Sequence, residues 1–351
     1  MDKKEMFTPQ ALGKYLAKNR IIRSATNDHL GNIDGTVSDA EIAMYDVLAS
    51  NEIGTIITGH ISVAPGLELR ADEAQLSIGD DRYIDGLRRI ANKIHEYGAI
   101  AIAQISLAGP KGLNPFDFNE LTTEEMEQIR DWFIAAAKRA KEASFDGVQV
   151  HLAHWYLLQA VLNIDVNKRT DKYGGSPENC LRLPLEIVEG VRKACPDDFL
   201  LMVKLNAHNT IEATDDGDLL AYYASQLTDV GVDLVELSGR DFNHKDRKAE
   251  LYYLEEARKL KGAYPEIVVS LVGGIFSKET IEKSLEVAEF ASLSRTLLTQ
   301  PDFIRKMKEG EESKSRCIHC NKCFEIFATK YERCVFGPVL PKLEETFGSK
   351  V

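Results

Sequence analysis

Two histidines three residues apart, His151 and His154, are followed by Tyr156 directly behind the apolar run Gly147 to Val150. Side chains just past the end of a strand are presented at a surface, and α/β enzymes build their sites there. A pair of imidazoles at this spacing suits a metal, but no third ligand stands convincingly near them. The neighbouring phenol points instead to hydrogen-bond donation and proton transfer. The whole stretch from His151 to Arg182, with its polar Asn-Lys-Arg-Thr-Asp-Lys-Tyr-Gly-Gly run, is the strongest functional clue in the chain.

Other chemistry-bearing residues lie at the ends of similar runs. Lys204 interrupts the apolar LLMVKLN, so its ammonium needs a negative partner, either a structural carboxylate or a ligand. Gly273-Gly274 and Ser294-Arg295 close the last two runs, which fits a phosphate site built from the final loops of a barrel; the alternative for Arg295 is a helix cap. Cys317, Cys320, Cys323 and Cys334 crowd together near the end, while Cys180 and Cys195 are isolated. In a reducing compartment that crowding suggests metal or redox chemistry more than a disulfide framework.

The elements that must position these groups recur along the chain. Short β-branched runs appear at 21–24, 54–58, 100–105, 147–151, 200–205, 234–237, 267–271 and 290–293, eight in all. Helical segments alternate with them, opened by Ser38-Asp-Ala-Glu41 and Thr122-Thr-Glu-Glu125, each a hydroxyl followed three residues later by Glu. Behind the second, Met126, Ile129, Phe133, Ala137 and Ala140 recur at helical spacing. Runs such as LLMVKL and VVSLV read as parallel strands covered by helices on their outer side. Eight such units imply a (β/α)8 TIM barrel over residues 1–308, followed by a short cysteine-bearing tail over 309–351. An open doubly wound sheet is the runner-up, but Ile21 to Ser24 leads into Ala-Thr-Asn-Asp-His, with no glycine fingerprint for a dinucleotide.

Composition narrows the partners. The chain has 351 residues, 44% of them hydrophobic, and a formal net charge of −12, which argues against a general nucleic-acid binder. Any anionic ligand must be held locally. The first residues lack an apolar h-region, and no run approaches the roughly 18 apolar residues of a membrane span. A cytoplasmic location away from membranes is expected. A homo-oligomer is allowed, its size not set by the sequence.

At the residues named above, the chain resembles the old yellow enzyme family of flavin mononucleotide (FMN)-dependent ene-reductases. The likeness runs from about Phe7 to Lys306. It is carried by Asn19 to Ile22, Gln104 with Ala108-Gly109, Asp146 to Val148, His151, His154 and Tyr156, and the block Asn167 to Ser176 with Glu178, Asn179 and Arg182. Val272 to Ile275 and Arg295 complete it. The resemblance implies that Ser24, Ala25, Asn27, His60 and Gln104 border the isoalloxazine ring and that Lys204 faces its N1 and C2 carbonyl edge. Gly273, Gly274, Ser294 and Arg295 would hold the phosphate. By the same analogy His151 and His154 donate hydrogen bonds to the oxygen of an electron-poor alkene, Tyr156 protonates its α-carbon, and NAD(P)H supplies the hydride in a ping-pong cycle.

The chain departs from the family pattern at several positions. Leu107 and Pro110 replace the usual His and Arg of the glutamine motif, Cys180 replaces an Arg, Ser294 stands for a Gly, Asn27 for Thr or Cys, and Trp155 for a Gly. The tail resembles the iron–sulfur segment of the 2,4-dienoyl-CoA reductase branch, which leaves a [4Fe–4S] cluster, a structural zinc or a metal-free cap as its readings. The expected activity is NAD(P)H-dependent reduction of enones, nitroalkenes or enoyl thioesters. The nearer alternative is an iron–sulfur flavoprotein of the dienoyl-CoA reductase or amine dehydrogenase type. A different class is a metal-dependent barrel hydrolase using His151 and His154.

Overall fold

The computed structural model of the chain describes residues 5–195, 198–209, 217–239, 241, 245–246, 248–325 and 334. An antiparallel hairpin, β1 (Gln10–Leu12) and β2 (Tyr15–Ala17), precedes the main sheet. The sheet contains β3 (Ile21–Arg23), β4 (Thr55–Ile57), β5 (Ile61–Ser62), β6 (Ile100–Ser106), β7 (Gly147–Leu152), β8 (Leu200–Asn206), β9 (Leu234–Ser238), β10 (Val269–Val272) and β11 (Phe290–Leu293). All its pairings are parallel, and β3 pairs with both β4 and β11, so the sheet closes on itself. β4 and the short β5 are successive partners of β6, which leaves eight staves. This is the expected (β/α)8 barrel, and the strands fall within a residue or two of the apolar runs because each is buried along its whole length.

The barrel interior has two layers. Ile22, Ile57, Ile100, Ile102, Leu200, Met202, Leu234 and Phe290 form a dry lower layer together with Leu12 and Ala17, so the hairpin plugs the bottom of the barrel. The upper layer is polar. Gln104 Nε2 donates to Gln149 Oε1 at 2.7 Å, and Gln149 Nε2 donates to Glu236 Oε2 at 3.1 Å. Lys204 Nζ lies 3.1 Å from the same Glu236 oxygen and donates to Ser24 Oγ at 2.8 Å. Two of these contacts, β7 to β9 and β8 to the end of β3, skip strands, so they cross the interior.

The helices start where the sequence signals them, with one difference. At Thr123–Glu142 both halves of the capping box form, Glu125 N to Thr122 Oγ1 and Thr122 N to Glu125 Oε2. At Asp39–Ala49 Ser38 Oγ accepts from Glu41 N, but the Glu41 carboxyl turns inward and shares a hydrogen bond with Asp28. Burial, then the charge of Asp28, raises Glu41 well above the ordinary carboxylate range, so the pair keeps a proton. The expected stripe Met126, Ile129, Phe133, Ala137 and Ala140 is buried.

The polar block after the fourth barrel strand is the main correction to the sequence reading. Of the stretch from His151 to Arg182, only His151, His154 and Tyr156 reach the barrel mouth, and the polar block does not. Asn167 Nδ2 donates to the carbonyls of Val161 and Tyr173, and Arg169 Nη1 donates to those of Phe118 and Leu121 at 2.6 and 2.7 Å. Lys172 pairs with Glu127 and Glu186, and Ser176 caps the helix Pro177–Ala194. The block is a clip that ties one loop to the two helices beside it. A loop folded inward leaves backbone carbonyls away from water, and Asn and Arg side chains satisfy them.

Arg169→Ala would strand the Leu121 carbonyl, take one of two donors from the Phe118 carbonyl and remove the ion-pair partner of Asp171, so we expect a loss of about 2 kcal/mol of unfolding free energy in urea with the barrel-mouth cavity unchanged. A loss below about 0.5 kcal/mol would mean that the loop is held by something else.

Candidate active site

A cavity of about 340 Å³ opens at the C-terminal ends of the strands, within the roughly 300–1,000 Å³ typical of small-molecule and cofactor sites. Ser24, Ala25, Asn27, His60, Gln104, His151, His154, Tyr156, Lys204, Gly273, Gly274, Ser294 and Arg295 all line it. These are the thirteen residues expected from the sequence, drawn from every barrel strand except β9. The structure adds Thr26, Lys111, Ser238, Tyr253 and His319 among others. Among the described residues none in the lining is acidic, whereas Lys111, Lys204, Arg295 and four histidines are present. In a chain of net charge −12 that is a local reversal of sign, suited to an electron-rich, anionic ligand.

At one end, Gly273 and Gly274 have φ of +117° and +67°. A Cβ on Gly274 would stand 2.6 Å from Leu251 N, and one on Gly273 would stand 2.9 Å from the Tyr252 ring, so glycine is needed at both. Ser294 Oγ meets Thr26 Oγ1 at 2.8 Å. Arg295 lines the cavity and donates to Tyr252 Oη at 3.2 Å and to Asn321 Oδ1 at 2.5 Å. The helix-cap alternative for Arg295 is therefore not what its guanidinium does.

Along the floor, Lys204 meets the structural carboxylate that one reading expected, and its place on the cavity leaves the ligand reading open. Its ammonium has a structural carboxylate in Glu236 and still lines the cavity. Glu236 was legible in part, since it interrupts the apolar run LVELS as Lys204 interrupts its own. Asn27 Nδ2 donates to Asp72 Oδ2 at 2.9 Å and meets His29 Nε2 at 3.1 Å.

Four rings gather on the remaining wall. The His151 centroid is 4.8 Å from that of Tyr156 and 5.2 Å from that of His154, and His60 stands 4.9 Å from Tyr156. Tyr156 Oη and His60 Nε2 are hydrogen-bonded at 3.0 Å. His154 Nε2 bonds Ser238 Oγ at 2.8 Å, its carbonyl accepts from Lys111 Nζ, and His151 Nδ1 is buried without a hydrogen-bond partner among the described residues. His154 and Trp155 both adopt left-handed backbone, φ +63° and +65°, a conformation that favours the glycine for which Trp155 stands. Among the described residues no group of three His, Cys, Asp or Glu is arranged to hold a metal.

The tail folds back on the barrel. Lys278 N donates to Ser313 O, Ser315 N to Phe276 O, and the His319 ring stands edge-on to Phe276 with centroids 4.4 Å apart. Cys317, Cys320, Cys323 and Cys334 line one small cavity of about 20 Å³, which shares Arg295 and His319 with the main one.

Burial pulls His60 down to about 4 and His151 and His154 well below the usual imidazole range. Each binds fewer protons folded than unfolded. Their stabilising effect is therefore complete above the unfolded value near 6.5 and declines as the pH falls below it, for His60 until about 4. Urea midpoints taken from about pH 7.5 down to about 4.5 should fall, and His60→Gln should flatten part of the slope. A midpoint constant over that range would contradict the assignment.

A model of the NADH:flavin oxidoreductase / NADH oxidase family matches residues 5–114 and 112–314. An NADH oxidase of Thermoanaerobacter brockii is 31% identical over 95% of this chain and 56% of its own length. An NADPH dehydrogenase of Bacillus licheniformis is 30% identical over 86% of this chain and 93% of its own. A solved 2-naphthoyl-CoA reductase, in complex with 2-naphthoyl-CoA, superposes with a TM-score of 0.88 at 25% identity, covering 96% of this chain and 57% of that one. The chain thus spans a little over half the length of the NADH oxidase and of the naphthoyl-CoA reductase. Morphinone reductase, with a TM-score of 0.77 at 21% identity over 90% of this chain and 92% of its own, shares the fold. On the strength of the family match and these relatives, this chain belongs to the NADH:flavin oxidoreductase / NADH oxidase family.

Proposed function

We propose that the chain binds FMN in the barrel-mouth cavity and reduces an electron-poor C=C bond at the expense of NAD(P)H, the two substrates using the site in turn. The observation that carries this reading is the convergence of all thirteen expected residues on one cavity whose lining contains no carboxylate among the described residues. Its donors fit the group: glycine backbone and Arg295 at the phosphate end, and polar side chains with Lys204 along the ring. When bound, FMN supplies the hydride relay between NAD(P)H and the acceptor.

The protein's own residues do the rest. Lys204 would meet the electron-rich edge of the ring, and Glu236 keeps its ammonium in place within the barrel. His151 and His154, held neutral by burial, keep one N–H each to donate to a carbonyl or nitro oxygen where negative charge accumulates. Tyr156, packed against His151 and bonded to His60, would give its phenolic proton to the α-carbon. The metal-dependent hydrolase alternative is not adopted, since the family match assigns flavin chemistry to this barrel and no third ligand joins the two histidines among the described residues.

The tail carries a second proposal. Four thiols reach one cavity beside Arg295 and Arg316, although among the described residues no three of them are spaced to hold a metal in this structure, so a ligand set that a metal draws together stands beside a bare cap. They would hold either an iron–sulfur cluster, which exchanges electrons singly, or a structural zinc. Iron, zinc and acid-labile sulfide measured on anaerobically purified protein should reveal one of the two in stoichiometric amount; protein free of all three would leave the tail as a cap.

The purified protein should be yellow and bleached by NAD(P)H. Tyr156→Phe should leave that bleaching within about twofold while slowing reoxidation by cyclohexenone on the order of a hundredfold. Unchanged reoxidation in the mutant would assign the proton to another acid.

A further inference from the structure

The cavity wall contains a hydrogen-bonded sequence in which one direction of donation is forced. Gln75 is buried and sits outside the lining of the cavity. Its Oε1 accepts from the backbone N–H of Ala71 at 2.6 Å. A backbone N–H can only donate, so this bond sets which end of the amide is oxygen. The Nε2 end then faces His60, where it donates to the backbone carbonyl at 3.1 Å and contacts Nδ1. An amide nitrogen has no acceptor to offer, so His60 Nδ1 must be the unprotonated nitrogen. The opposite tautomer would press two N–H donors together in a buried site, at the cost of an unsatisfied group. Ser106 Oγ, 3.4 Å from Gln75 Nε2 and 3.3 Å from His60 Nδ1, is a rotor that can accept from the first and donate to the second.

Because the ring is neutral in this arrangement, its proton is on Nε2, which faces Tyr156 Oη at 3.0 Å. His60 therefore donates and the phenol oxygen accepts, so the phenolic proton is not committed to His60. The loop that carries Gln75 is itself fixed. The buried Arg70 donates to the carbonyls of Ile33, Leu67, Glu73 and Gln75, and Asp72 Oδ1 accepts from Ala74 N.

We infer that Gln75 is a positioning residue for proton transfer: it sets His60 as the Nε2–H tautomer and so orients Tyr156 as a proton donor towards the cavity. This rests on the reading of Tyr156 given above. In the step, the Tyr156 O–H bond breaks and leaves its electron pair on the phenolate oxygen. The electron pair at the α-carbon, left there by hydride addition at the β-carbon, forms the new C–H bond. The phenolate keeps the hydrogen bond from His60 until water returns the proton.

The test uses the FMN-loaded protein. Nitrogen-15 NMR of histidine-labelled protein, with His60 assigned through His60→Gln, should show its proton on Nε2; a proton on Nδ1 in the wild type overturns the inference without recourse to any further variant. Gln75→Glu is nearly isosteric, still accepts from Ala71, and replaces the donor facing Nδ1 with an acceptor. It should move the proton to Nδ1, slow reoxidation by cyclohexenone on the order of tenfold or more, and leave reduction by NAD(P)H within about twofold. In a Tyr156→Phe background the same substitution should have no further effect, because the group it acts through is gone. A moved proton with unchanged reoxidation, or a full additional loss in the Tyr156→Phe background, overturns the inference. If Tyr156→Phe alone reoxidises normally, the reading of Tyr156 as the acid has failed, a separate result from the tautomer seen by NMR.

Discussion

A charge inside a barrel must be matched from inside the barrel, and Lys204 is matched by Glu236 on the adjacent strand. Leaving either alone in that setting would cost several kcal/mol, because water cannot reach the orphaned group. The pair is the centre of a chain from Ser24 through Lys204 and Glu236 to Gln149 and Gln104, which links strands on opposite sides of the interior. This chain makes the upper layer polar without making it wet. It also forms the floor of the cavity at the mouth.

The rest of the architecture can be read as keeping that floor in register. The lower layer is apolar and sealed by the N-terminal hairpin, so the closed sheet has a dry base. Above it, the loop after β3 is held from outside by the buried Asp28–Glu41 acid pair, while Tyr45 from the same helix accepts from Gly59 N next to His60. Polar groups buried behind a site limit the positions that its first residues can take, since each has few satisfactory partners. The same reasoning applies to Gln75, which lies outside the cavity lining yet presents a donor to His60 Nδ1.

The clip formed by Asn167, Arg169, Lys172 and Ser176 shows how a dense polar motif can be structural. Its side chains satisfy carbonyls of a loop folded inward, and none of them lines the cavity. Composition alone does not distinguish an arginine that awaits an anion from one already spent on two backbone oxygens. Arg295, by contrast, lines both the main cavity and the cysteine-lined one, as His319 does, so the tail and the barrel mouth share these two side chains.

The positions of the eight strands were readable from the chain, because a stave buried on both faces must be a continuous apolar run wherever it occurs. The helix start at Thr122 was readable for a similar reason, since a cap is local. The cavity lining was readable because residues that end parallel strands must converge once the sheet closes. Which partner each polar group takes was decided only in three dimensions. Glu41 carries the signature of a capping box yet pairs with Asp28, Glu236 rather than any of the other carboxylates meets Lys204, and Gln75 finds His60 from a loop fifteen residues away. Local order follows from spacing along one segment, whereas the choice of partner depends on which segments the closed barrel brings together, and no single segment contains that information.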